Sequence, residues 1–286
     1  MYNKKLNPLN DHAFKRMFGD EGCEPQLITI INGLTNRTGN DAIQTIEIIE
    51  RIIPRELYHE KETRLDILAE TEGKHRINLE AQLKNVEMTP RSIYYGGNIM
   101  VKSLNKGENY TQMAKVTLIN ILGFTNKEIE EYKGYYKYEK HSPYLESYNF
   151  YMKKFDALKN KDINNPQHRC LMFLSDKTNQ KMRKKVIEME PPLAKAEKIM
   201  KYINSHPKEM ELYEMREIAR MDIESARKRD MQEGKIEGIK EGIKEGKKEG
   251  KKEGKKEIAT KMKKEGVSIE DIIKFTNLTP DLIEKL

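Results

Sequence analysis

RLDILAETEGKHRINLEAQL, residues 64–83, alternates as a pair of β-strands does. Leu65, Ile67 and Ala69 fall on every other position of the first run, and Ile77, Leu79, Ala81 and Leu83 do so in the second, the period of a half-buried strand. The intervening positions hold Asp66, then Asn78, Glu80, Gln82 and Lys84, where a sheet buried on both faces would carry apolar side chains. Thr71-Glu72-Gly73 predicts a three-residue loop with glycine in the left-handed last place. Such a loop keeps an even register and puts Asp66 on the face of Glu80 and Gln82.

Outward from this hairpin, Asn10 or Asp11 caps a short helix carrying Phe14 and Phe18, with Gly19 as its stop. A second helix spans 24–33. AIQTIEIIERII, 42–53, reads either way, and its β-branched residues and the following Pro54 favour a strand. After the hairpin, Thr89-Pro90 starts a helix running to about residue 105. KVTLINILGF, 115–124, is a buried strand, and the tyrosine-rich 135–155 is another hairpin turning at Ser142-Pro143. From 166 to 231 the period is helical, broken at Pro191-Pro192 and Pro207. The order implies an α/β fold, a mixed sheet with helices against it.

The chain has 286 residues, 37% apolar and 35% charged, so its core must be concentrated. No run is long enough to cross a bilayer and no secretory signal opens the sequence, which predicts a cytoplasmic protein without membrane contact. Cys23 and Cys170 are the only cysteines and the six histidines are scattered, which excludes a disulfide framework and a zinc knuckle. The net charge of +7 suits a polyanionic partner without demanding one.

EGKIEGIKEGIKEGKKEGKKEGKKE, 233–257, repeats every four residues, with glycine at 234, 238, 242, 246, 250 and 254. Four residues turn a helix through about 400°, so the glycine stripe drifts round the surface. Each Glu–Lys pair three apart adds roughly 0.2–0.5 kcal/mol, while each glycine costs about 1 kcal/mol against alanine. Two readings follow: a solvated, partly helical spacer, or a self-association helix whose glycines let two backbones approach. Beyond it, Ser268 with Asp271 and Thr279-Pro280 open two short helices, a packing or dimerisation unit.

Carboxylates side by side raise one another's pKa unless a cation lies between them. Asp66 and Glu80 as hard ligands, with the Ala81 carbonyl as a third, suit Mg2+ completed by water and phosphate oxygens. The same residues equally suit a solvent-facing sheet surface without function. Context adds to the pattern. The acid, hairpin and E-x-Q of Asp66, Glu80 and Gln82 resemble the PD-(D/E)XK nuclease superfamily in its transposase-like, recombination-promoting branch, with Gln82 in the lysine position. Also similar are DHAFKRMFG (11–19), ETRLDILAE (62–70), RSIYYGG (91–97), VTLINILGF (116–124), ELYEMREIARMDIESA (211–226) and GVSIEDIIKFTNLTPDLIEKL (266–286).

The resemblance implies a restriction-endonuclease-like mixed sheet flanked by helices, followed by a helical region and a charged glycine-repeat tail. It implies an Mg2+-dependent DNA endonuclease, with Mn2+ as a substitute ion, acting in DNA recombination or mobile-element transfer. Asp66, Glu80 and Gln82 become the catalytic residues, and Asp66, Glu80 and the Ala81 carbonyl the metal ligands. Gln82 is neutral and orients water or phosphate without acting as an acid or base. The missing charge falls to Lys84, Arg91 or a second metal. Asp11 is an accessory acid or a helix cap; Lys15 and Lys61 are phosphate contacts; Tyr94 and Tyr95 stack on bases or pack on the sheet. The expected organisation is 1–160 nuclease-like, 161–231 helical, 232–257 repeat and 258–286 terminal unit, with a homodimer or higher assembly through the tail. The rival reading is a catalytically inactive DNA-binding or assembly protein on a nuclease fold.

Overall fold

Asn10 caps the first helix, α1 (Asp11–Phe18), by accepting the N–H groups of His12 and Ala13. Of the two residues offered for that role Asn10 takes it, and Asp11 pairs elsewhere. The computed structural model describes residues 5–49, 52–53 and 63–286, which divide into two units, Met1–Met221 and Asp222–Leu286.

In the first unit α1 is followed by α2 (Glu24–Leu34) and the strands β1 (Glu47–Ile49), β2 (Ile52–Ile53), β3 (Thr63–Arg64), β4 (Ile67–Glu70) and β5 (Arg76–Gln82). Then come α3 (Met88–Val101), β6 (Val116–Leu122), α4 (Lys127–Glu131), β7 (Tyr136–Ser142), β8 (Leu145–Tyr151), α5 (Met152–Ala157), α6 (Pro166–Leu174), α7 (Gln180–Met189) and α8 (Leu193–Ser205). Helix α9 spans Pro207–Lys264, and the unit boundary falls within it.

Six strands form a mixed sheet in the order β1-β4-β5-β6-β8-β7. The outer pairs are antiparallel, while β5-β6 and β6-β8 are parallel. Helix α3 is the crossover that two adjacent parallel strands require. The sheet packs on both faces. One buries Ile67, Ala69, Ile77, Leu79, Ile119, Ile121 and Phe150 against the apolar sides of α1, α2 and α6. The other buries Leu68, Val116, Leu118 and Leu145 beneath Ile99 of α3. Gly96 allows that approach: a Cβ there would stand 2.6 Å from Leu145 Cδ1. The second face is therefore apolar over much of its area, and its polar residues gather toward the carboxyl end of β5.

Four sequence expectations are corrected. Thr71 N–H bonds the His75 carbonyl at 3.0 Å, so the loop is Glu72-Gly73-Lys74, and Lys74, not Gly73, holds the left-handed place at φ 55°. Leu65 leaves the set of Ile67 and Ala69 and joins Leu68 on the α3 face, because the chain bends at Asp66 and regular pairing begins at Ile67. The strand expected over 42–53 is confined to β1 and β2 among the described residues, and α3 ends at Val101, short of residue 105.

In the second unit α10 (Ile269–Thr276) is capped by Ser268, and Asn277 ends it in the left-handed conformation. It packs with α11 (Pro280–Glu284) and the end of α9 through Ala259, Ile272, Leu278 and Ile283. Among the described residues no helix is long and apolar enough to cross a membrane.

Candidate active site

The β4–β5 ladder pairs Ile67 with Leu79 and Ala69 with Ile77. One step further it opens, and side chains replace it: the Asp66 N–H donates to Glu80 Oε1 at 3.1 Å, and the Ala81 N–H to Asp66 Oδ2 at 3.0 Å. On a strand the carbonyl of a residue faces the same side as its N–H, so the Ala81 carbonyl also faces the opened edge. The Asn78 amide adds a bond to Glu80 Oε1 at 3.4 Å, and its own Oδ1 is buried without a partner.

Lys15, one turn into α1, reaches into this edge. Its Nζ lies 3.1 Å from Asp66 Oδ1 and 2.5 Å from Asp11 Oδ1, and Arg216 Nε of α9 lies 3.2 Å from Asp11 Oδ2. These groups line a cavity of about 370 Å3 together with Glu80, Gln82, Lys84, Arg91 and Arg220. Asp11, Lys15, Asp66, Glu80, Ala81, Gln82, Lys84 and Arg91, all singled out from sequence, thus meet in one place. Lys61 lies outside the described residues. Tyr94 and Tyr95 are not in the lining: the Tyr95 ring packs at the α3 face under the Arg91 guanidinium, 4.8 Å away, and Tyr94 is exposed. The Gln82 carbonyl accepts the Gly123 N–H at 2.9 Å, and its side-chain amide makes no hydrogen bond to the described residues.

Burial, then the charge of Asp66, pushes Glu80 up to about 8, while Arg91 draws it back. Burial also raises Asp66, against the pull of Lys15 and the Ala81 N–H. Burial opposes charge on Lys15 as well, but Asp66 and Asp11 more than offset it, and its pKa is raised. Half-buried Asp66 and buried Glu80, held together at such a cost, form a pair that a cation lying between them would relieve.

The donor set fits a small divalent cation. It offers two hard carboxylates, each already oriented through one oxygen by a backbone N–H, and a carbonyl at the same edge. Among the described residues no cluster of three or more Asp, Glu, His or Cys is arranged for a metal. The remaining ligands would have to be water or phosphate oxygens, as Mg2+ commonly keeps. Lys15 marks the place with its ammonium, bound to the oxygen of Asp66 that the backbone leaves unused.

Arg216, Glu217 and Arg220 have no sequence-assigned role, yet they line the cavity. Their helix is docked by the Asn7 N–H on Tyr213 Oη at 2.8 Å and by Asn10 Nδ2 on Glu217 Oε1 at 2.9 Å. The signal in the sequence was Arg216 and Arg220 four apart with Glu217 between, which puts them on one helical face.

A family model described as PD-(D/E)XK nuclease family transposase matches residues 8–229, a span that contains every residue lining the cavity. No significant match was found among curated proteins or among solved structures.

Proposed function

Because the chain belongs to the PD-(D/E)XK nuclease family transposases, we propose that it is a divalent-metal-dependent DNA endonuclease, using Mg2+ with Mn2+ as a substitute. The observation that carries this reading is the reciprocal hold of Asp66 and Glu80 at the mouth of a cation-lined cavity. Its biological setting on this reading is DNA recombination or mobile-element transfer, in the cytoplasm.

Asp66, Glu80 and the Ala81 carbonyl would hold the metal. When bound, such an ion lowers the pKa of a water and polarises a phosphodiester. Lys15, Lys84 and Arg91 neutralise phosphate oxygens, with Arg216 and Arg220 receiving the strand from the α9 side. Gln82 orients a water through its amide and exchanges no proton. Lys15 supplies from α1 the cation that position 82 lacks. The proposed division of labour follows the sequence boundaries: 1–160 cuts, 161–231 supports, and 232–257 with 258–286 brings two copies together for double-strand breakage. The rival reading, a DNA-binding protein without turnover, draws on neutral Gln82 and on Lys15 competing for Asp66.

Plasmid cleavage with Mg2+ and with EDTA tests the proposal, beside Asp66→Asn and Glu80→Gln proteins shown to be folded. Mg2+-dependent nicking lost in both variants supports it. Intact plasmid across metals and salt, with DNA still retained, would give the rival reading precedence.

A further inference from the structure

At the opposite end of β5 from Glu80 lies a second cavity of about 290 Å3, where the chain enters β5 and β6 and turns from β7 to β8. Its polar groups form one network. The Thr117 hydroxyl is 2.7 Å from Glu146 Oε1 and 2.8 Å from His75 Nε2. A carboxylate can only accept, so the hydroxyl proton goes to Glu146. His75 must then donate from Nε2, and its Nδ1 carries no proton.

Glu146 also accepts from Tyr138 Oη at 3.1 Å and faces the Arg37 guanidinium at 3.5 Å. One acid is thus fully engaged, while three cations, Arg37, Lys115 and Lys140, line the same cavity. Lys115 and Lys140 form no ion pair within 4 Å among the described residues, although Lys140 stands directly across the β7–β8 ladder from Glu146, and Arg37 spends one long contact of its five donors. Burial first, then the charge of Arg37 and, against the opposing pull of Glu146, that of Lys115, hold His75 down at about 4. Arg37 is half-buried and Lys115 and Lys140 are exposed around it, and a cleft lined mainly by one sign of charge concentrates the opposite one.

We propose that this cavity binds phosphate, with Arg37, Lys115 and Lys140 supplying the charge, the group coming from a small phosphate compound or from a nucleic-acid backbone. Its volume suits a phosphate with its sugar better than a large cofactor. The site is about 17 Å along β5 from Glu80, by strand rise, and does not rest on the nuclease reading.

The test uses the full chain in EDTA, so that no cleavage intervenes. Inorganic phosphate, a deoxymononucleotide and a short DNA duplex are titrated separately while the His75 imidazole is followed by 1H–13C NMR, its signals assigned with His75→Gln. We expect saturable movement of the His75 signals, weakened about tenfold or more in the Lys115→Ala/Lys140→Ala protein; for the duplex, the salt slope falls by about two. Response to phosphate or nucleotide assigns a small ligand, and response to the duplex alone assigns a backbone contact. Still signals with all three, or a folded double variant that binds like wild type, overturn the inference. Metal-dependent cleavage is measured apart, so either reading can fail alone.

Discussion

Asp66 and Glu80 hold one another by exchange: Glu80 Oε1 takes the backbone N–H of Asp66 at 3.1 Å, and Asp66 Oδ2 takes the N–H of Ala81, the residue after Glu80, at 3.0 Å. Each carboxylate is oriented by the other's strand, so neither relies on a metal for its place. What the arrangement lacks is charge balance, and the first prediction follows from that.

Glu80→Gln keeps an acceptor for the Asp66 N–H and removes a carboxyl that, with its pKa up at about 8, has to take a proton near neutral pH to stay buried beside Asp66. The metal-free variant should gain about 1 kcal/mol near neutral pH, a rise in Tm of about 2–4 °C. Metal-dependent cleavage should fall about a hundredfold or more. Calorimetry and plasmid nicking decide it; a variant that melts lower than wild type contradicts the charge-imbalance account.

Lys15 competes with any metal for Asp66 Oδ1. Lys15→Ala should bind Mn2+ about tenfold tighter, since one neighbouring cation is gone, yet cleave more slowly because a phosphate contact is gone too. Metal titration and single-turnover rates should move in opposite directions. Both falling together would make Lys15 a structural residue.

His75 gives a pH dependence of stability. Its folded pKa, lowered to about 4 by burial and then by Arg37, lies below the ordinary 6.5. Above pH 6.5 neither state is protonated at this ring. Below it the unfolded chain takes a proton that the folded chain refuses until about pH 4, so stability is lost as pH falls through that window, by up to about 2 kcal/mol after allowance for partial exposure. Urea melts at pH 7 and pH 4.5 should show the loss, and His75→Gln should reduce it.

Gly96 seats α3 on the sheet. Gly96→Ala should cost about 1–3 kcal/mol through the overlap with Leu145. It should also slow cleavage, because Arg91 lies on the same helix. Leu145→Ala in the same chain should recover part of both losses; no recovery would locate the fault elsewhere.

The repeat glycines separate the two readings of the tail. A Cβ on Gly238, Gly242 or Gly246 would meet nothing within 4 Å, so replacing all three by alanine should add about 3 kcal/mol of helix stability. A spacer tolerates the change with its oligomeric state intact. An interface of closely approaching glycines comes apart, and sedimentation velocity would show it.

The alternation over 64–83 made the hairpin legible, along with the even register and the polar end of β5. It could not reveal the bend at Asp66, because Leu65 is as apolar as the residues it was grouped with and only tertiary packing sends it to the α3 face. Glycine at position 73 suggested the left-handed place, but the pairing of Thr71 with His75 moved it to Lys74. Local pattern placed Lys15 and Arg91 on helices whose starts it could read. Arg216 and Arg220 come from α9, far along the chain, and their approach to Asp11 depends on Tyr213 and Glu217 docking against residues 7 and 10. No short-range signal encodes such a contact.

The opened end of the β4–β5 ladder has a spectroscopic consequence. Most sheet amides are held by carbonyls, which do not change with solution conditions. The amides of Asp66 and Ala81 are held by carboxylates, whose electron density shifts whenever a proton or cation joins them. Those two backbone resonances should therefore move first, and furthest, in an amide spectrum as the site fills. Their exchange with solvent should slow at the same time, giving an occupancy gauge at two peptide groups without any label at the carboxylates.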